Sequence, residues 1–218
     1  MKGLLIKDLR LMLIQKRFFL MMIIIAIGMM FSMNNSSFIF GYLTFVCSLF
    51  SISSISYDEF DNGYAFLFTL PITRKEYVLE KYVFGFIVSL ISWVISIIIA
   101  FSYEIIKNNM FSYIDILESA VGLLLINFII LSLLIPMKIK YGSEKGNIAQ
   151  MILFGGIFIV GFAIYQIMNI LNVDITGFLN IIESLHIGIL FIVVLMIVCL
   201  IIFICIQSTI KIMNNKEF

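Results

Sequence analysis

Charge is scarce in this chain. Only 12% of its 218 residues are Asp, Glu, Lys or Arg, against 62% hydrophobic, whereas an ordinary soluble domain carries roughly 25% charged residues. A chain of this length has too few polar side chains to cover a folded surface in water, so lipid must be the solvent for much of it. Histidine is represented by His186 alone, and Cys47, Cys199 and Cys205 all sit inside apolar runs with no CxxC or His-rich spacing. These gaps exclude the usual metal and dithiol arrangements and leave the cysteines as small hydrophobes. No HExxH string, paired histidines or buried Asp pair is present at membrane depth, where hydrolysis would need an activated base or ion, so an intramembrane enzyme is disfavoured. Gly142 and Gly146 fall short of the G-x-x-x-x-G-K-[ST] phosphate cradle and follow no strand. The formal net charge of +1 gives no electrostatic footprint for nucleic acid. The first apolar run follows a long charged stretch and precedes no small-residue cleavage pattern, so it is expected to persist rather than act as a removable signal.

What the sequence does have is long apolar runs. Six of them, near 18–32, 38–56, 82–103, 117–137, 151–171 and 185–207, approach or exceed the roughly 20 residues that cross a hydrocarbon core of about 30 Å as helix. The first is short and needs Lys16 and Arg17 to snorkel at its inner end. With the N-terminus in the cytoplasm, Lys2, Lys7, Arg10, Lys16, Arg17, Arg74, Lys75, Lys81, Lys138, Lys140, Lys145, Lys211 and Lys216 fall inside and only Lys107 outside, 13 of the 14 basic residues. Both ends inside and six spans therefore satisfy the positive-inside rule almost completely. The outer segments, with Glu104, Asp115, Glu118, Asp174 and Glu183, are acidic or neutral. No linker rich in Gly, Pro or Ser divides the chain, so residues 1–218 read as one all-α membrane domain.

Between the spans, three segments carry information. Within 1–17, Leu5, Ile6, Leu9, Met12 and Leu13 recur at helical spacing with Lys7, Asp8 and Arg10 largely off the stripe, which predicts an amphipathic helix along the inner leaflet or an extension of the first span. The loop 57–81 is too long and too patterned for a connector. Ser56 with Glu59, or Asp58 with Asp61, can cap a short helix whose apolar face is Phe60, Tyr64, Leu67 and Phe68. Pro71 interrupts it, and Thr73 with Glu76 forms a capping box from which a new helix should run unbroken into the third span. Aromatics and charges of both signs on such a helix–elbow–helix suit either a docking surface for a soluble partner or a seat in the headgroup belt. The short basic loop 138–147 reads as a topogenic, headgroup-binding segment or a second contact.

Within the spans, Gly155, Gly156 and Gly161 predict a close helix-packing face. Asn127 either lines a pathway or bonds to a neighbouring helix. The outer segment 172–184 is long enough for short helices dipping into the outer leaflet. His186 at its edge reads as an interfacial hydrogen-bonding residue rather than a pH switch.

The ordered strings Tyr57-Asp58-Glu59, Gly63, Phe66-Leu67, Thr69-Leu70-Pro71-Ile72-Thr73-Arg74-Lys75-Glu76-Tyr77-Val78 and Lys81, set between spans two and three behind a basic N-terminal helix, resemble the permease subunits of type-2 ABC exporters. The likeness covers essentially the whole chain, specific in the loop and topological elsewhere. It implies that 57–81 is a coupling helix that seats on a separate cytoplasmic ATPase through Asp58, Glu59, Phe60, Gly63, Tyr64, Phe66, Phe68, Leu70, Pro71, Arg74 and Glu76. Residues 1–17, with Lys7, Asp8 and Arg10, would be the connecting helix that flanks this contact. It further implies a second permease chain, alike or different, no cofactor on this chain, ATP and Mg on the ATPase, and a multi-pass place in a bacterial plasma membrane. The cargo would be hydrophobic or amphipathic, with small permeases that export cytolytic or antimicrobial peptides most similar. The alternative is a membrane sensor or scaffold that docks a partner through the same loop without transport.

Overall fold

The computed structural model describes residues 2–33, 37–60, 63–107, 113–170 and 187–216, and every described element is helical. In chain order these are α1 (Lys2–Ile14), α2 (Lys16–Met33), α3 (Ser37–Glu59), α4 (Gly63–Leu67), α5 (Arg74–Lys107), α6 (Tyr113–Ile170) and α7 (Ile187–Asn214). Asp61, the outer segment 172–184 and His186 lie outside the described residues.

Four segments, Ser37–Glu59, Arg74–Lys107, Ile116–Met168 and Leu190–Asn214, are long and apolar enough to cross a membrane. A fifth arises if α1 and α2, bent by 63° about Gln15, count as one. The apolar runs predict six, and the difference lies in α2, which stands alone in that count, and in α6. The backbone of α6 is non-helical at Gly142 (φ 77°, ψ −170°). Asn127 on its first arm bonds Ser48 of α3 at 2.9 Å, while the Phe154 ring on its second arm lies 5.9 Å from Phe45 of α3. A straight helix would separate residues 127 and 154 by about 40 Å, yet their partners sit less than one turn apart. The chain therefore doubles back at Gly142. Each arm, 113–141 and 143–170, exceeds the ~20 residues a crossing requires.

Only glycine suits that turn. Its φ and ψ belong to a region essentially reserved for glycine, and a Cβ added there would lie 2.6 Å from Glu59 Oε1. Gly142→Ala is expected to cost about 1–3 kcal/mol in backbone strain, read as a lower thermal midpoint in detergent. An unchanged midpoint would show that the turn is not strained.

α3 is the centre of the bundle and packs against α1, α2, α4, α5 and α6. Its contact with α5 runs along a seam of small polar residues, Thr44, Ser48, Ser51 and Ser54 facing Ser89, Ser92 and Ser96, all buried. Small side chains let helix backbones approach closely in lipid, and a Cβ on Gly85 would come within 3.1 Å of Ser51 Oγ. Ser51, Ser89, Ser92 and Ser96 return their hydroxyl protons to carbonyls one turn back, so the seam carries no unmet donor. The packing face expected at Gly155, Gly156 and Gly161 is not used within this chain, because a Cβ at any of the three meets nothing within 4 Å. The second arm of α6 and most of α7 turn Ile157, Phe158, Phe162, Ile192, Met196 and Phe203 outward, as lipid-facing helices do.

Two apolar cores result. One joins Leu4, Ile55, Tyr64, Leu67, Tyr77, Leu134 and Met213 at the end of the bundle where α1, α4 and the C-terminal turn meet. The other joins Met30, Phe40, Phe84, Tyr103 and Ala120 further along.

Candidate functional site

The loop after α3 forms by local rules. α3 continues to Glu59, so Ser56 lies inside a helix and does not cap a new one. The chain turns beneath Gly63, where a Cβ would sit 2.5 Å from Asp58 O. The position is therefore closed to side chains. α4 then unwinds through Phe68 N to Tyr64 O (3.0 Å), Thr69 N to Phe66 O (3.1 Å) and Ile72 N to Leu70 O (2.6 Å), which makes the elbow at Leu70-Pro71. Beyond it the anticipated capping box closes in full. Glu76 Oε2 accepts from Thr73 N and Thr73 Oγ1, both at 3.0 Å, and Glu76 N donates to Thr73 Oγ1 at 3.2 Å. Those bonds from Thr73 hold the Glu76 carboxyl below its ordinary value. Thr73→Ala should cost about 1 kcal/mol and speed amide exchange in the first turn of α5. Equal exchange in the variant and the parent would remove the cap from the account.

The loop's aromatics are sorted differently from the single apolar face expected of Phe60, Tyr64, Leu67 and Phe68. Tyr64 is 4% exposed and Leu67 is buried, and Phe68 is half-buried, stacked on Tyr64 at 6.4 Å and edge-on to Tyr77 at 6.0 Å. Phe60 and Phe66 point outward, 74% and 71% exposed, with Leu70 beside them at 45%. Between this rim and α1 lies a cleft of about 610 Å³ walled by Leu4, Tyr57, Phe66, Leu70 and Pro71, with Lys7 and Asp58 at its polar side.

The charges are sorted too. Asp58 and Asp8, which the sequence suggested for contacts with a partner, are 7% and 0% exposed. They face each other across a closed ring. Lys81 Nζ lies 2.5 Å from Asp8 Oδ2 and 2.6 Å from Asp58 Oδ2. Lys7 Nζ lies 3.1 Å from Asp8 Oδ1 and also donates to Asp58 Oδ1. Lys81 adds Ser54 Oγ at 3.1 Å, so its three ammonium protons meet three acceptors. Tyr77 donates its hydroxyl proton to Asp58 Oδ2 at 3.1 Å.

The ring lies just outside the apolar runs 38–56 and 82–103 and fastens α1, α3 and α5 to one another. Burial pushes the Asp58 carboxyl upward, but Lys81 and Lys7 outweigh it and hold the group below its ordinary value. Burial likewise depresses Lys81, and its carboxylate neighbours, Asp58 and then Asp8 foremost, more than restore it. Both groups stay charged, which is what a buried pair needs to hold.

A second set of contacts draws in the C-terminus. Arg74 Nη1 donates to Met213 O (3.1 Å) and Asn214 O (2.5 Å), capping α7 with the positive charge that a helix end favours. Lys216 Nζ donates to Ile139 O at 3.0 Å, lies 3.5 Å from Glu59 Oε1 and stands 4.8 Å from the Tyr64 ring centroid. Arg10 is exposed.

Asn127 is elsewhere, 3% exposed among helices. It accepts from Ser48 and donates to Ser89 (3.1 Å), tying α3, α5 and α6. Of the two roles open to it, this geometry is that of the bonded one.

Sequence reading named Tyr77 and Lys81 in the loop motif and counted Lys81 and Lys216 among the inner basic residues but gave none of the three a part in the site, and it assigned nothing to Ser54 or Glu80. The available signal was an ionisable pair, Glu80-Lys81, directly abutting an apolar run, where charge is expensive and rarely idle.

Residues 3–214 match the family model described as "ABC-2 family transporter protein". The chain belongs to the ABC-2 transporter family. No curated protein and no solved structure matches it. Membership makes this a multi-pass membrane component of ABC transport and implies association with an ABC ATPase. Within this ABC-2 protein the outward aromatics and the capped elbow belong to the loop 57–81, which also supplies Asp58 and Lys81 to the ring.

Proposed function

We propose that this chain is the permease subunit of an ATP-driven exporter and that α4 with its flanking turns is the coupling helix. The observation that carries the reading is the division of labour in the loop. Phe60, Phe66 and Leu70 project outward, while Asp58, Tyr64 and Tyr77 are fastened inward to α1 and α5. A loop built that way can take a push on its aromatic rim and deliver it to the helices behind, whereas a loose connector would absorb it. Rim aromatics beside an apolar cleft also fit the composition of strong contact sites.

Six crossings with both termini in the cytoplasm remain the topology we favour, made of α2, α3, α5, the two arms of α6, and α7. The contacts of Lys216 with Glu59 and Ile139, and of Arg74 with Asn214, support it by gathering the C-terminus, the first loop and the Gly142 turn at one end of the bundle. Thirteen of the fourteen basic residues are expected at that end, in keeping with the positive-inside rule. ATP and Mg would be held by separate ATPase subunits. A second permease chain would complete the pathway, and the outward glycines of α6 leave room for a close neighbour. We further propose a hydrophobic or amphipathic cargo, a peptide in the first instance, and a bacterial plasma membrane as the location.

The test is co-expression with candidate ABC ATPase subunits. The reading expects the two to co-purify and amphipathic peptides to raise ATP hydrolysis. A wild-type chain that brings down no ATPase, or a complex whose hydrolysis ignores every peptide and lipophilic compound offered, would count against it.

A further inference from the structure

Two lysines and two aspartates balance in the ring, but a third buried carboxyl is left over. Glu80 precedes Lys81 in α5 and is fully buried, and neither of its carboxyl oxygens has a hydrogen-bond partner. Lys81 Nζ lies 3.9 Å away, with its protons already directed at Asp8, Asp58 and Ser54. The charged groups around Glu80 are Lys81 beside it, Asp8 and Lys7 from α1, and Asp58 from α3. Their charges sum to zero without it, so an ionised Glu80 would be a surplus buried anion, the most penalised arrangement a low-dielectric site can hold. Among the described residues no group of His, Cys, Asp and Glu could hold a metal ion. A proton is the ligand that fits.

We propose that Glu80 is a proton-binding site whose occupancy decides how firmly α1 is held on the ring. With the proton bound, the carboxyl is neutral and leaves Lys81 to Asp8 and Asp58. When the proton departs to water, the new carboxylate draws on Lys81 and repels Asp8, the one charged side chain that α1 buries completely. α1 then loses its anchor. Burial, the dominant influence, pushes Glu80 from an ordinary 4.5 up to about 7. Unfolded chains release this proton near the lower value and folded chains near the higher. Between them the folded state alone keeps the proton, so stability is greatest below the window and declines as pH rises to about 7. Any bearing of α1 on ATPase engagement rests on the coupling role proposed above, while the proton site does not.

The experiment uses the full chain purified in detergent, with its glutamate carboxyls isotopically labelled, across a pH series spanning about two units on either side of neutral. The expected result is an infrared carbonyl band of a protonated glutamic acid that disappears with a midpoint near 7 and is missing from Glu80→Gln. Amide exchange in α1, corrected for intrinsic rates, should accelerate above that midpoint in the wild type and stay flat in Glu80→Gln. A band that persists in Glu80→Gln, or α1 exchange that responds to pH equally in both proteins, overturns the proposal. So does a band whose loss follows sodium concentration at fixed pH, since the ligand would then be a metal cation. Should Glu80→Gln fail to fold, the labelled wild type decides alone, because the absence of a protonated glutamic acid one unit below the midpoint excludes the site.

Discussion

Replacing Lys81 by methionine should destabilise the protein by about 3–5 kcal/mol, the cost of removing one partner from a buried ion pair. Methionine matches the length of the side chain, so the loss is electrostatic rather than a cavity. Asp8 and Asp58 would be left with Lys7 alone, and Ser54 and Asp58 would each lose a bond from the ammonium. The magnitude separates this lysine from Lys216, whose pairing with Glu59 is partly exposed at 3.5 Å and belongs to a class worth about 0.2–1 kcal/mol. A second substitution supplies the control. Asp8→Leu with Lys81→Met removes one charge of each sign and keeps the Lys7–Asp58 pair, and apolar replacement of whole buried pairs is often nearly neutral. The double variant should therefore recover most of the loss. Unfolding in mixed detergent micelles reads all three. A Lys81→Met protein within about 1 kcal/mol of wild type would mean that the ring contributes no more than a surface pair.

Phe66→Ala with Phe60→Ala is expected to release the ATPase while leaving the permease folded. Each ring is more than two-thirds exposed, so truncation leaves the two apolar cores intact. An anchoring aromatic at a contact centre is worth about 2 kcal/mol or more, roughly a thirtyfold loss of affinity for each. Phe68→Ala should do the reverse, because that ring stacks on Tyr64 and meets Tyr77 edge-on and its removal lowers stability first. Charge reversal at Asp58 would likewise break the ring instead of probing the docked surface, and reversal at Glu59 would repel Lys216 beside the Gly142 turn, so neither acid tests the rim cleanly. Co-purification and thermal midpoint, measured on the same preparations, separate these effects. If Phe60→Ala/Phe66→Ala retained its ATPase and its stimulated hydrolysis, α4 would not be the coupling helix.

Much of the site could be read from residue order because its rules are local. The Thr73–Glu76 box, the break at Pro71 and the helix that follows depend on neighbours within four residues, and each is found where the spacing places it. Gly63 and Gly142 show the limit. Gly63 is closed to a side chain by the carbonyl of Asp58, and Gly142 by the positive φ of 77° at which α6 reverses, and nothing beside them in sequence announces either. The serine seam is intermediate, since Ser48, Ser51 and Ser54 and then Ser89, Ser92 and Ser96 recur at helical spacing, the signal of a buried polar stripe, although spacing alone does not say which stripe faces which.

By itself the sequence determined that this chain is helical and membrane-bound, because apolar content and run length are sums over residues and do not depend on how the runs meet. It also determined the likeness to ABC-2 permeases, carried by one contiguous loop. Only the tertiary structure decided which charges face the outside. Asp8, Asp58, Glu80 and Lys81 look like any solvated charges at the ends of apolar runs, and an ionised carboxylate such as Asp8 or Asp58 is held in the interior only where a cation from another helix is brought to it. That meeting of α1, α3 and α5 is a property of the packed bundle, and it turns part of a presumed docking surface into the fastening behind one.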